Sequence, residues 1–322
     1  MGIDTDILLM HLKTCWNIEK QSILRYGSLL REKCQQSRIQ KVNNCFKLKQ
    51  AGEESMNISI ATATFYHIPF IEALDLIRRA GFETIELDTY WTGGENWEVT
   101  QHLRNIRPRE VIKIVKESGL KINSLHDMGG VIFKDTDSVI NREIYEYIEF
   151  GEKDIPCIVF HAPHKKTEDK SWWSRYSRKA AEDLSSLKEN YIICIENIQK
   201  FPGYQTSLVN PMEMLKFVKE NGLYINIDTT HYAQLEIDIV STARACRDYV
   251  KGVHFSDYKA GRRHLFPGEG ELDLKGFLHE LKLDSIHAMT LECDIPYEEG
   301  NPQVSVESMK RARDYILMEN DN

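Results

Sequence analysis

Seven short apolar runs in this 322-residue chain stop on side chains that can titrate or bind a metal ion. In chain order the stops are Glu86 with Asp88 in "TIELD", His126 in "NSLHD", His161 and His164 in "FHAPH", and Glu196 in "CIEN". Asp228 and His231 in "NIDTTH", His254 and Asp257 in "VHFSD", and Glu292 in "TLEC" complete the series. Taken singly, a strand-end histidine is more often a hydrogen-bonded core residue than a ligand, and a strand-end glutamate is usually a solvated charge. The set is another matter. If the runs converge, Glu196, Asp228, His254 and Glu292 crowd three carboxylates and an imidazole into one mouth, which repels itself unless a cation neutralises it. Three oxygen donors and one nitrogen, with no thiolate, suit one divalent ion such as Mn2+, Zn2+ or Co2+ that keeps positions open for substrate.

Convergence depends on the elements that carry these residues. From Met56 onward, β-rich runs alternate with amphipathic segments such as "PFIEALDLIRRAG" and "PREVIKIVKESG", whose apolar residues recur at helical spacing. Eight strands, beginning with "NISIAT" (57–62) and ending with "HAMTLEC" (287–293), are each followed by a helical segment. That order predicts parallel pairing through right-handed crossovers. Eight such units in about 260 residues is the size of a (β/α)8 TIM barrel, in which the C-terminal strand ends face one mouth. A doubly wound sheet is the competing α/β arrangement, but "ATATFYHIPF" after the first strand lacks the Gly-rich phosphate turn. In "TIELD", Glu86 and Asp88 are two apart and share a strand face.

Two loop features bear on a ligand. "RRHLFPGEGELD" places Arg262, Arg263 and His264 before a Gly-rich turn, and arginine suits bidentate contact with a carboxylate, phosphate or vicinal diol. Phe65, Tyr66, Trp91, Trp97 and Phe266 are aromatic residues of the mouth loops, and flat rings pack against the apolar face of a sugar or base.

Composition sets bounds. The chain is 42% hydrophobic, enough for a large core, and its net charge of −8 gives no general support for a nucleic-acid-binding surface. No run approaches the roughly 18 apolar residues of a membrane span. Seven cysteines without a C-x-x-C pair, several of them in apolar strands, fit reduced thiols and a cytoplasmic location. Residues 1–55 differ in character: nine Lys/Arg outnumber six Asp/Glu, and helical periodicity is weak. They are expected to form a loosely ordered, partly helical N-terminal extension ahead of a barrel domain at 56–322. Apolar helix surface leaves a homo-oligomer open.

On "IEN", "IDTTH", "GVHFSD", "RRHLFPGEGELD" and "TLEC", in this order, residues 57–318 resemble the xylose-isomerase-like superfamily of TIM barrels. This superfamily joins sugar isomerases and epimerases with apurinic endonucleases of the endonuclease IV type. The resemblance to ketose 3-epimerases implies a single metal on Glu196, Asp228, His254 and Glu292. It also implies that the two glutamates exchange a substrate proton from opposite sides. His231 and Arg263 or Arg262 would then hold substrate oxygens. The resemblance to the endonucleases implies three zinc ions on His126, His161, Glu196, Asp228, His231, His254, His264 and Glu292. There an Asp of the third site is replaced by Arg262 here, which disfavours that ion, while His126 and His161 could complete a second site beside Glu196.

The reading that follows is a metal-dependent sugar or sugar-phosphate isomerase or epimerase. In it Glu196 and Glu292 move a proton through an enediolate and His231 polarises the carbonyl. His126, His161, Arg262, Arg263, His264, Trp91 and Tyr66 contact substrate. The alternative is a metal-dependent phosphodiesterase acting on abasic DNA, which the acidic balance of the barrel portion and the lack of basic, wedging loops disfavour.

Overall fold

A computed structural model of the chain describes residues 57–89, 103, 106–127, 140, 142–151, 155–199 and 202–320. Eight strands form one sheet: β1 (Ile58–Ile60), β2 (Thr84–Asp88), β3 (Lys121–Asp127), β4 (Cys157–His161), β5 (Ile192–Glu196), β6 (Tyr224–Asp228), β7 (Val250–Phe255) and β8 (Ala288–Leu291). Every neighbouring pair is parallel, and β1 pairs with β8. The ring closes only through a single bridge, Ala61 to Glu86. The reason is local. β1 is three residues long, because Thr62–Phe65 turns at once into a 3-10 helix. Side chains complete the seam: Thr62 Oγ1 and the Ala63 amide both donate to Asp88 Oδ2, and the Ser59 and Thr84 hydroxyls lie 3.0 Å apart. The expected eight-stranded α/β barrel is therefore present, with its first strand shorter than the apolar run 57–62.

Alternation along each strand divides two environments. One set of residues, including Ile85, Leu87, Leu125, Ile158, Phe160, Ile195, Ile227, Val253 and Leu291, joins the main core with the surrounding helices. The other set lines the barrel, and its apolar part is a small separate cluster of Cys157, Val159, Cys194 and Ala288. Above this cluster the interior is polar. Glu86, Ser124, Asn226, His254 and Thr290 are all fully buried.

The helices are α1 (Phe70–Arg79), α2 (Pro108–Ser118), α3 (Arg142–Gly151), α4 (Trp172–Ser185), α5 (Pro211–Asn221), α6 (Thr229–Gln234), α7 (Ile239–Cys246), α8 (Leu274–Glu280) and α9 (Gln303–Asn320). α2 and α5 open on proline in the first turn and stop at glycine, as the sequence punctuation predicts. Two antiparallel ribbons were not legible as strands: His164–Lys166 with Tyr204–Thr206, and Asp257–Lys259 with Arg262–Leu265. Both grow from loops that follow barrel strands at the C-terminal rim. Among the described residues no helix is long and apolar enough to cross a membrane.

Candidate metal centre

The motif "NIDTTH" does two jobs through one carboxylate. Asp228 ends β6 and caps α6: its Oδ1 accepts from the His231 amide at 2.6 Å and from the Thr230 hydroxyl at 3.0 Å. Its Oδ2 is buried without a hydrogen-bond partner. The neighbouring strand end is tied to it. Asn197 Nδ2 donates to the Asp228 carbonyl at 2.9 Å, and the Asp228 amide donates to Asn197 Oδ1 at 2.8 Å. This mutual pair sets the ends of β5 and β6 side by side and brings Glu196 to the same point.

Glu196, Asp228, His254 and Glu292 each offer a ligand atom lying within 4.8 Å of the others. His254 Nδ1 is 2.9 Å from Glu292 Oε2 and 3.3 Å from Glu196 Oε1. Both Glu196 oxygens, Asp228 Oδ2, His254 Nδ1 and Glu292 Oε2 lack hydrogen-bond partners although buried from water. Unpaired buried polar atoms are costly and rare, and here they converge. Oxygen-rich donors with one imidazole fit a divalent ion. Glu196 is enclosed, whereas the Glu292 side chain keeps 16% of its surface accessible, so that one glutamate faces the interior and the other the opening.

A second cluster abuts the first. His126 Nε2 lies 3.0 Å from Glu196 Oε2 and 3.1 Å from His161 Nε2, and His161 Nε2 is 3.5 Å from the same carboxylate oxygen. His126 Nδ1 donates to Asp88 Oδ1 at 3.1 Å, leaving Nε2 directed at Glu196 and His161. His231 Nδ1 donates to the Asn197 carbonyl at 2.9 Å and sits 3.2 Å from Glu196 Oε1. Asp88 and Asn197 act through these histidines, and only the inward parity of "TIELD" and the "IEN" ending mark them in the sequence.

The imidazoles and carboxylates set one another's charge. Burial opposes ionisation of Glu196, but the His254, His161 and His126 rings outweigh it and hold its carboxyl well below the usual range. Burial likewise works against a proton on His254, yet Glu86, Glu196 and Glu292 raise it well above an ordinary imidazole. For His126, the Glu196 charge and the Asp88 bond overcome burial and raise it strongly. Burial is again outweighed at His231, where Asp228 and Glu196 push the ring up to about 9. At His161 burial prevails, joined by the neighbouring imidazoles, and the ring is driven well below its normal value.

Other sequence candidates sit elsewhere. His264, on the Arg262–Leu265 ribbon, donates through Nδ1 to the Glu292 carbonyl at 3.0 Å, with its ring 6.0 Å from that of His231. Arg262 is exposed and Arg263 half-buried on the same ribbon, and no described carboxylate pairs with either. Tyr66 is 42% exposed in a small aromatic group with His67 and Tyr297. Trp91 and Trp97 lie outside the described residues. His164 is buried on the other ribbon, its Nδ1 3.2 Å from the Ala162 carbonyl. Asp257 is a scaffold residue: it accepts from the amides of Tyr258, Gly268, Gly270 and Leu272 at 2.8–3.1 Å and so cages the loop after β7.

The sequence matches the family described as xylose isomerase-like TIM barrel over residues 74–315, more than half of the chain. The chain belongs to this family. Several solved structures superpose on it at low sequence identity. L-ribulose 3-epimerase shares 16% identity at a TM-score of 0.58, covering 81% of this chain and 93% of its own. D-allulose 3-epimerase from Methylomonas sp. shares 16% at 0.59, covering 82% and 98%. The IOLI protein, whose crystal structure holds a zinc atom, shares 15% at 0.59, covering 81% and 98%. At these identities the likeness is one of fold. No curated protein matches the chain in sequence.

Proposed function

We propose that residues 56–322 form a divalent-metal-dependent sugar or sugar-phosphate isomerase or epimerase, with residues 1–55 as an extension. One observation carries this reading: the unpaired, buried donor atoms of Glu196, Asp228, His254 and Glu292 converge within 4.8 Å. These four residues would hold Mn2+, Zn2+ or Co2+, which when bound supplies Lewis-acid polarisation of adjacent substrate oxygens.

The remaining work falls to the side chains. One of Glu196 and Glu292 takes the proton from the carbon beside the substrate carbonyl, the C–H electron pair moves into an enediolate, and a carboxyl returns a proton. Return to the opposite face of the same carbon is epimerisation, and return to the former carbonyl carbon is isomerisation; neither needs an external oxidant. In the metal-free mouth Asp228 and Glu196 push the His231 ring up to about 9, so without an ion it is an imidazolium at neutral pH. With Nδ1 donating to Asn197, the ring in its protonated form presents Nε2–H to the substrate carbonyl oxygen. His126, His161, Arg262, Arg263, His264, Trp91 and Tyr66 are assigned to substrate contact. Two of the superposed structures are ketose epimerases, which supports this substrate class. Buried thiols at Cys157, Cys194, Cys246 and Cys293 support a reducing, cytoplasmic setting.

A screen of free and phosphorylated ketoses with added Mn2+, followed by solvent-deuterium incorporation, tests the proposal. Exchange that disappears in Glu292→Gln with the fold retained is the expected result. The His126–His161–Glu196 cluster favours a second reading, a two-ion abasic-DNA phosphodiesterase. About one ion per chain and no cleavage of an abasic oligonucleotide support the epimerase, and the reverse pair of results overturns it.

A further inference from the structure

Strand β2 buries a carboxylate that the proposed proton transfers do not use. Glu86 is fully enclosed in the barrel, and among the described residues no lysine or arginine pairs with it. Its Oε2 accepts the Ser124 hydroxyl from β3 at 2.7 Å, with the Thr290 hydroxyl from β8 at 3.5 Å. Its Oε1 has no hydrogen-bond partner but lies 2.8 Å from Nε2 of His254. The ring is thus spanned between two groups, with Nδ1 toward Glu196 and Glu292 and Nε2 toward Glu86.

We infer that Glu86 is a positioning residue for His254: its Oε1 takes the Nε2 proton, so that the Nδ1 lone pair faces the metal quartet. This rests on the metal reading given above. A neutral imidazole binds an ion through one nitrogen and must carry its proton on the other, and an acceptor there selects the tautomer and orients the ring. Glu86 can do this because two hydroxyls on separate strands hold its other oxygen. The neighbouring grouping of Glu86, His126 and His254 does not itself make a second cation cage. His126 Nδ1, 3.9 Å from Glu86 Oε1, already donates to Asp88 and has no lone pair to offer.

Calorimetric titration of chelator-treated protein with Mn2+ tests the role. Glu86→Met should weaken binding about 10–100-fold. Glu86→Gln, which keeps an acceptor oxygen, should weaken it less. The melting temperature of the chelated Glu86→Met protein should fall, since His254 and the Ser124 hydroxyl each lose a buried partner, so Mn2+ affinity is the readout that decides. A lower melting temperature with unchanged Mn2+ affinity would mean a merely structural role and overturn the inference. Should Glu86→Met fail to fold, Ser124→Ala keeps the carboxylate but loosens it. A few-fold weaker Mn2+ affinity supports the inference, and wild-type affinity overturns it. Wild-type protein that takes up neither Mn2+ nor Zn2+ would overturn the underlying metal reading, whereas wild-type binding matched by Glu86→Met would remove only the role of Glu86.

Discussion

Asp228 shows how one side chain serves both folding and chemistry. Oδ1 caps α6 and Oδ2 is left for an ion, so substitutions separate the two roles. Asp228→Asn keeps an oxygen for the cap and loses the charge. It should bind Mn2+ at least tenfold more weakly in a calorimetric titration while its urea midpoint changes little. Asp228→Ala should additionally lose about 1 kcal/mol of unfolding free energy with the cap. At the same scale, Gly252 is where a close approach matters. A Cβ there would lie 2.2 Å from Oδ1 of the fully buried Asn226 and 3.3 Å from its Cβ. Gly252→Ala should destabilise by about 1–3 kcal/mol in denaturant unfolding, through overpacking rather than backbone strain.

Among elements, the loop after β7 departs most from its sequence reading. "PGEG" is a weak turn signal alone, and Asp257 reads as one more strand-end carboxylate. In the fold, Asp257 gathers four backbone amides, and a Cβ on Gly270 would lie 2.1 Å from its Oδ1. The glycine is there to let the carboxylate in. Asp257→Ala leaves those amides to water and should cost about 2–3 kcal/mol. It should also open the segment 258–272 to limited proteolysis. Because this loop carries Arg262, Arg263 and His264, the variant should raise KM for a ketose substrate, if these residues contact it, more than it lowers metal affinity.

Over the whole molecule, the barrel mouth balances charge in one of two ways, by protons on imidazoles or by a metal ion. In chelator-treated protein the raised His231, with an ordinary value of 6.5 and a folded value of about 9, stabilises fully below pH 6.5. That contribution is lost as pH rises through about 9, and His126 and His254, also raised, act in the same direction. Glu196, held below its ordinary 4.5, contributes above that value and is lost as pH falls through its folded value. His161, held well below its ordinary 6.5 by burial, costs stability as pH falls below that value, so the melting temperature of the chelated protein should be highest near pH 6.5 and decline toward pH 9. Metal affinity should move the opposite way, rising with pH as protons leave the ligand histidine. Melting curves with chelator and with Mn2+ across this range check both signs.

The sequence by itself determined the alternation of strands and helices and the placement of acids and histidines at successive strand ends. Helical spacing and strand parity are local properties, so the barrel and the strand-end positions of Glu196, Asp228, His254 and Glu292 could be read from them. Only the tertiary structure decided which strand-end groups meet. Asp257 turned into its own loop, Arg262 stayed at the surface, and Glu86, a strand-end acid given no role in the sequence, came to face His254. The physical reason is that stagger between neighbouring strands and the direction of each side chain set distances across the barrel, and neither is encoded within any single strand.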